Sequence, residues 1–498
     1  MKINIPSKSN IILYAILFFI AFAVLFTSTY NPINFRKMHI DSSVYVTISQ
    51  GIIRGYLPYK DLVDNKGPLT YLLNVPGMYL GSFTGIWFTE LILMLVSVFF
   101  AYKTALYFAD KYKALLGTIF TFIQLTAFFS VNAGTEEYSM PFLMISLYIF
   151  TKYFFSSKQE ASFFELIILG ICFVCAIMIR LNMFPLWVGF CIIIFIESII
   201  KQRYAILGRY IAGFFIGIII AFVPLFLYLK LNGIMNDFLT DVVFGGAKQG
   251  FSGDNLKETV KNFFIVFSRN YSFFPLLFGL FIIITKFKQT YFNYYVGYTI
   301  SYFLMMLFLS FANGDSHYNM VLIPFFIPAI IFLIDILDSA FSVIKTDKTR
   351  NIILILFLCF IYSKEISEYF YSIPKIFTNK SGSQLIKAGK KIDDNTKLGD
   401  KIISIGYNGY IYPFTKRDIA SKFFYQSGGV YYIQRTAREE LISDITVNKP
   451  AIIVLSDPED GINQNIYDNL KPIFKMINDE YRFLSDESGI KLYIRNDK

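Results

Sequence analysis

Residues 164–200 read FELIILGICFVCAIMIRLNMFPLWVGFCIIIFIESII. How often this run crosses a bilayer decides the topology of everything after it. One spanning helix needs about 20 apolar residues, so the run is too long for one span and suits two. The break belongs at RLNMFP, where Asn182 favours a turn and Pro185 lacks the N–H that a helix interior uses. The reading is two spans, 164–180 and 183–200, with Arg180 closing the first.

The same rule, carried outward, gives about eleven spans: 11–30, 84–106, 112–131, 138–155, 164–180, 183–200, 207–230, 266–285, 291–312, 319–342 and 351–371. Composition agrees. Charged residues are 16% of the chain, against about 25% in soluble domains, and mean hydropathy is +0.50. This is a polytopic α-helical membrane protein by sequence. Its net charge of +10 therefore reports topology first, and no nucleic-acid partner is expected. Lys2 and Lys8 precede apolar residues 11–28, as in a signal peptide. That run exceeds a signal core and no A-x-A site follows, so it is read as an uncleaved first span.

Basic residues test the count. Lys2 and Lys8; Lys111 and Lys113; Lys152 and Lys158; Lys201, Arg203 and Arg209; Lys286 and Lys288; and Lys345, Lys348 and Arg350 fall in alternate loops. All share one side if 164–200 holds two spans, and the positive-inside rule makes that side cytoplasmic. The N-terminus is then cytoplasmic. The first loop (31–83), NAGTEEYS (132–139), RLN (180–182), the 231–265 loop and NGDSHYN (313–319) lie outside the cell (plasma) membrane. Cys172, Cys175, Cys191 and Cys359 all sit in apolar runs. The CxxC pair has no His or second CxxC nearby, which favours packing over metal or redox chemistry.

From about Ile373 the composition turns polar. KIISIGY, AIIVLS and IKLYIR read as short strands, and 382–393, 437–446 and 463–478 as helices between them. Residues 380–498 are read as an extracytoplasmic α/β domain, after a transmembrane domain of 1–379.

The first external loop concentrates charge. In HIDSSVYVTISQGIIRGYLPYKDLVDNKGPL (His39–Leu69), Val44, Tyr45, Ile48 and Ile52 share one helical face, and Ser43, Thr47, Gln50 and Arg54 the other. Such a helix lies in the interface plane. Asp41 sits just before it, where an N-cap carboxylate is favoured. A catalytic base at the membrane surface fits the same position, and spacing leaves both open. Asp61, Asp64 and Lys66 fit a solvated turn, or a site loop pinned between membrane elements in which Pro68 keeps Lys66 out of a helix interior. Glu136 and Glu137 stand at the mouth of spans three and four, as site groups or as a polar turn. Arg180 either snorkels to headgroups or serves the site. His317 is one of two histidines in the chain.

These pieces, in order and on one side, carry a likeness: D-x3-Y (Asp41, Tyr45), G-x-x-P-Y-x-D (Gly55–Asp61), D-N-K-G-P-L (Asp64–Leu69), T-E-E-Y (Thr135–Tyr138) and S-H-Y (Ser316–Tyr318). The chain resembles membrane glycosyltransferases of the GT-C class, nearest the RgtA/B/C/D-like and protein-mannosyltransferase-like group, kin of the aminoarabinose transferases of lipid A. The likeness covers roughly residues 10–345. IISIGYNGYIYPFTKRDIASKFFYQ (402–426) is similar to the external domain that some members append.

The resemblance implies a GT-C fold with interfacial helices in the first loop. It implies a polyprenyl-phosphate-linked sugar donor and transfer of a hexose, with inversion, to an envelope acceptor: a polysaccharide, teichoic acid, glycolipid or protein. Asp41 matches the general base and Lys66 the lysine that contacts the lipid phosphate. Asn65 stands where Glu is frequent, leaving Asp64 as a candidate substitute, and Ser42 stands where Glu often follows the base. The chemistry asks for the same parts. An attacking hydroxyl needs a carboxylate to take its proton, and a leaving phosphate needs cations; Lys66, Arg180 and His317 can supply them. Tyr45, Tyr59, Asp61, Asp64, Asn65, Glu136, Glu137, Tyr138 and Tyr318 are further candidates. The external loops show no D-x-D, so neither metal nor other cofactor is expected.

Three other functions compete. A flippase of lipid-linked sugars needs charge along a central path, whereas Glu90, Glu197 and Asp335 are few and scattered. An O-antigen polymerase or ligase carries its large loop late, and this chain's richest loop comes first. A scaffold whose external domain binds envelope polymers would do no chemistry.

Overall fold

The computed structural model describes residues 8–128, 134–245, 256–285, 291–311, 315–406, 409–426, 436–456, 470–487 and 489–498. In hydrocarbon a segment has to satisfy its own backbone polar groups, so apolar runs become helices. α1 (Lys8–Phe26) leads into a first loop that holds α2 (Ile40–Ile53), α3 (Pro68–Leu72) and α4 (Asn74–Gly81). Then come α5 (Phe83–Ala105), α6 (Lys111–Thr126), α7 (Thr135–Phe155), α8 (Phe163–Ile177), α9 (Pro185–Ile200) and α10 (Tyr204–Leu231). The short α11 (Met235–Phe238) precedes α12 (Leu256–Ser268), α13 (Phe273–Thr285), α14 (Phe292–Ser310), α15 (Phe326–Ala340), α16 (Asp347–Ile361) and α17 (Ser363–Thr378). Within the described residues each run read as a span falls mainly on helix, with the first helix stopping at Phe26; 129–131 and 312 lie outside the described residues. Among the described residues five helices are long and apolar enough to cross a membrane, or six with one bent pair counted as a span; residues 10–26 and 163–177 are apolar but shorter.

The decisive break lies where the sequence places it. α8 ends at Ile177, Leu181–Met183 form a 3₁₀ turn, and Pro185 takes the first position of α9, where its missing N–H costs nothing. α8 then packs on α10 at backbone contact. A Cβ on Gly170 would sit 2.1 Å from the Phe214 carbonyl oxygen, and one on Gly217 2.1 Å from that of Ile167. Small residues allow this approach, on which helix association in lipid depends.

Two spans need correction. Residues 266–285 are not one rod: α12 and α13 meet at 90°. Asn270, with φ 42° and ψ 54°, makes the corner, a conformation Asn tolerates better than most residues. Its groups are satisfied, because Gln124 Nε2 donates to the Asn270 carbonyl at 2.8 Å and Asn270 Nδ2 donates to that of Ala127 at 3.1 Å. Residues 351–371 also divide: α16 stops at Ile361, and α17 runs on to Thr378, past the expected end.

Ion pairs gather basic loops at one end of the bundle. Lys113 bonds Asp335 and Asp338, each at 2.8 Å, Arg350 bonds Asp338 at 2.9 Å, and Lys152 bonds Glu165 at 2.5 Å. α8 starts at that end and leads to Arg180, so Arg180 and the start of α7 stand at the other. Lys2, Lys286 and Lys288 lie outside the described residues.

After α18 (Ser381–Asp394) come β1 (Lys401–Ile405), β2 (Asp418–Ile419), α19 (Ala437–Asn448), β3 (Ile452–Ser456), α20 (Lys471–Glu480), β4 (Tyr481–Asp486) and β5 (Ile490–Arg495). The sheet order is β2-β1-β3-β5-β4. β1 runs parallel to β2 and β3, and β5 antiparallel to β3 and β4. The three strands read from sequence are β1, β3 and β5. The helix read over 463–478 is α20, and 463–469 lie outside the described residues. The core of this domain is not private. Ile392, Ile402 and Tyr412 belong to one apolar cluster with Val44, Ile48, Leu62 and Tyr71 of the first loop.

Candidate active site

The site is built on that first loop. Asp41 lies in the first turn of α2 and is partly exposed. The cap position just before the helix belongs to His39, whose Nδ1 accepts the Asp41 N–H at 3.3 Å. This corrects the N-cap reading and leaves the Asp41 carboxylate without a capping bond. Among the described residues it has no ion pair. α2 does not float in the interface plane either. Ser42–Ser49 are all buried. The polar face reaches the C-terminal domain: Thr47 Oγ1 donates to the Gly409 carbonyl at 3.3 Å, and Arg54 donates to those of Thr415 at 2.7 Å and Arg417 at 3.1 Å. Water is replaced there by main-chain oxygens that lie 361 to 363 residues further along the chain.

Arg180 faces Glu136 in an ion pair, with Thr135 Oγ1 on the second carboxylate oxygen at 2.9 Å. Its guanidinium lies 4.1 Å from the centroid of the Tyr318 ring, a cation–π contact. Burial pulls Arg180 down in pKa, but Glu136 and, behind it, Tyr318, Tyr45 and Asp41 raise it on balance. Asp41 is thus within electrostatic reach of Arg180, and also of Tyr45, His39 and Tyr318. The two histidines of the chain meet here, with ring centroids 5.7 Å apart. Burial lowers the His39 pKa below its ordinary value; Asp41 opposes this, His317 adds to it, and Asp315 and Glu136 oppose it. A ring that accepts at Nδ1 and is lowered in this way is neutral, with its proton on Nε2. Burial, with Asp41, Asp64 and Glu136 nearby, lifts the Tyr45 phenol well above its usual value, so Tyr45 is a hydroxyl donor.

Lys66 arrives by a stitched junction. The Gly67 N–H donates to the Ile179 carbonyl and the Leu69 N–H to that of Met178, both at 3.1 Å, and Thr70 Oγ1 donates to Ile179 at 3.1 Å. The chain beside Lys66 is therefore sewn to the residues just before Arg180. Gly67 permits this, since a Cβ there would lie 2.0 Å from the Met178 carbonyl oxygen. Gly67→Ala is expected to cost about 1–3 kcal/mol, read as a lower unfolding temperature of the full chain in detergent. Unchanged stability would show that the junction is not this tight. The Lys66 ammonium donates to Asn65 Oδ1 at 2.7 Å, and among the described residues no carboxylate pairs with it.

Other candidates are structural in placement. Tyr59, at φ 70°, donates its hydroxyl to the Lys66 carbonyl at 2.9 Å. Asp61 accepts the Leu57 N–H at 2.8 Å and closes a turn. Asp64 does not supply a second open carboxylate: it is 4% exposed and accepts Tyr71 OH at 2.7 Å and Tyr425 OH at 2.8 Å. Glu137 shares the surroundings of Tyr30 and Tyr138 with Glu90, and Tyr138 donates to Asn74. The remaining span acids are accounted for, with Glu197 on Lys201 and Asp335 on Lys113. Among the described residues no three His, Cys, Asp or Glu side chains are grouped to hold a metal. Sequence reasoning passed over His39, Tyr71 and Tyr425. The scarcity of histidine was a signal for the first; nothing local marks Tyr425.

No protein-family model and no curated protein matches the sequence. Solved structures do. ArnT from Cupriavidus metallidurans, bound to undecaprenyl phosphate, superposes with a TM-score of 0.60 at 11% identity, over 98% of each chain. Its apo state gives 0.59, with the same identity and coverage. The archaeal oligosaccharyltransferase AglB from Archaeoglobus fulgidus, in complex with an inhibitory peptide and a dolichol-phosphate, gives 0.53 at 12% identity, over 98% of this chain and 75% of that one. The chain has the fold of these proteins, the GT-C fold expected from its motifs.

Proposed function

We propose that this protein is an integral-membrane glycosyltransferase that moves a sugar from a polyprenyl-phosphate donor to an envelope acceptor at the outer face, with inversion. One observation carries the reading: Asp41 and Lys66 of the first loop, and Arg180 beside the stretch of chain to which that loop is stitched, stand at one end of a GT-C bundle. Asp41 takes the proton of the acceptor hydroxyl while its oxygen attacks the anomeric carbon. The bond to the phosphate breaks in the same displacement, and the departing phosphate is met by fixed positive charge. Arg180 shares its charge with Glu136 and keeps further guanidinium donors for the phosphate, while Lys66, with no carboxylate partner among the described residues, adds a second cation. The donor's lipid stays in the bilayer, and burying a charge at mid-bilayer costs roughly 2.5–3.5 kcal/mol on insertion scales, which favours chemistry at the bundle's end. The C-terminal domain lies at the same end and is read as extracytoplasmic. No metal or other cofactor enters this scheme.

The test uses the full chain in detergent with undecaprenyl phosphate as the probe. Wild type is expected to bind it, and Lys66→Ala to bind about tenfold more weakly, the loss of one charge-assisted contact worth about 1.4 kcal/mol. Equal affinity of the two proteins would remove Lys66 from the phosphate site. Translocation of lipid-linked sugar by the protein in vesicles without acceptor would instead favour a flippase.

A further inference from the structure

We infer that Tyr425, in the C-terminal domain, is a positioning residue for donor binding, acting on Lys66 through Asp64 and Tyr71. The inference rests on the donor reading above. It goes beyond it by making the C-terminal domain a working part of the site.

The geometry forms a relay. Tyr425 OH donates to Asp64 Oδ1 at 2.8 Å, and Tyr71 OH donates to Asp64 Oδ2 at 2.7 Å. The Tyr71 oxygen also stands 3.2 Å from the Lys66 carbonyl, which Tyr59 holds at 2.9 Å. Next to Asp64, the Val63 N–H donates to the Lys422 carbonyl at 3.1 Å. Both residues that precede the Asn65–Lys66 pair are therefore held by residues 422 and 425. Asp64 is 4% exposed, Tyr425 7% and Tyr71 fully buried.

The relay has a physical necessity. Among the described residues Asp64 has no cationic partner, so its buried charge depends on hydroxyl donors. Removing one leaves a buried carboxylate under-satisfied. The cheapest relief is to turn Asp64 toward water, which draws on Tyr71 and shifts the carbonyl of Lys66. The ammonium two residues on loses its fixed place, and preorganisation is what an electrostatic site supplies. A mere packing role for Tyr425 would leave the apolar ring contacts as the important part, and Phe would serve.

The test is a double-mutant cycle on the full chain, with undecaprenyl phosphate as the probe. Tyr425→Phe is expected to weaken binding about five- to tenfold. In a transfer assay the apparent donor KM rises by a similar factor, with kcat within about twofold. In a Lys66→Ala background Tyr425→Phe is expected to have no further effect. Asp64→Asn is the second variant, with the same loss and the same suppression by Lys66→Ala. Wild-type affinity in Tyr425→Phe overturns the inference, and so does an equal loss with and without Lys66. Those failures leave Lys66→Ala weakened and the donor reading standing. A wild-type protein that binds no undecaprenyl phosphate sinks the donor reading itself, and the relay's role with it.

Discussion

Asp41→Asn is expected to cut sugar transfer by about 10²–10⁴-fold, the range that a positioned general base supplies. The substitution keeps shape and removes the proton-accepting charge. Its cost to the fold is small for reasons visible in α2. The helix is capped by His39 through the backbone N–H of residue 41, which Asn retains. What is lost is the favourable placement of an acid in the first turn, about 0.3–1 kcal/mol. Undecaprenyl phosphate binding is expected to survive, because the cations on the stitched junction are untouched. Transfer and binding measured on the same preparation separate the outcomes. Transfer at the wild-type rate would falsify the base assignment. Loss of binding together with transfer would mean that Asp41 orders the site and does not take the proton. The choice of Asn over Ala matters, since Ala would also empty the space beside Tyr45 and blur the two effects.

The parts of this protein that were legible in sequence are those whose cause is local. Pro185 suits the first turn of a helix, and a new helix starts on it, so the reading of 164–200 as two helices holds in the fold. β1, β3 and β5 announce themselves by apolar runs bounded by turns. The failures come from partners chosen at a distance. Nothing near Asn270 says that Gln124 waits to donate to its carbonyl and that the span turns through 90°. The polar run SKEISE (363–368) follows Tyr362 directly, and the reading carried one span through it where the helix breaks. The polar face of α2 looked like a face for water, because the carbonyls of Thr415 and Arg417 that meet Arg54 lie in another domain. Asp64 is the instructive case. Its charge and its place beside Lys66 suggested a site carboxylate, and two tyrosine hydroxyls, one from the far end of the chain, have already claimed both its oxygens. His39 was quoted in the loop and overlooked, because its role depends on a backbone bond that spacing does not reveal.

Arg180→Ala is expected to destabilise the full chain by about 3–5 kcal/mol, the cost of leaving one member of a buried ion pair alone. Glu136 is 2% exposed, with Arg180 on one oxygen and Thr135 on the other. Without the guanidinium its charge has no compensation at a depth where water is scarce. The double variant Glu136→Gln with Arg180→Met removes both charges and is expected to recover most of that stability, since a neutral, well-filled pair avoids the desolvation cost. Activity should not follow. Removing a donor aimed at developing charge costs about 10²–10³ in kcat, and the double variant still lacks it. Thermal unfolding in detergent reads the first quantity and donor turnover the second. If the double variant regained transfer along with stability, Arg180 would be a strut for α7 and α8, with no part in stabilising the departing phosphate. If Arg180→Ala were as stable as wild type, the pair would be solvated, and the low-dielectric mouth on which the electrostatic argument depends would not exist.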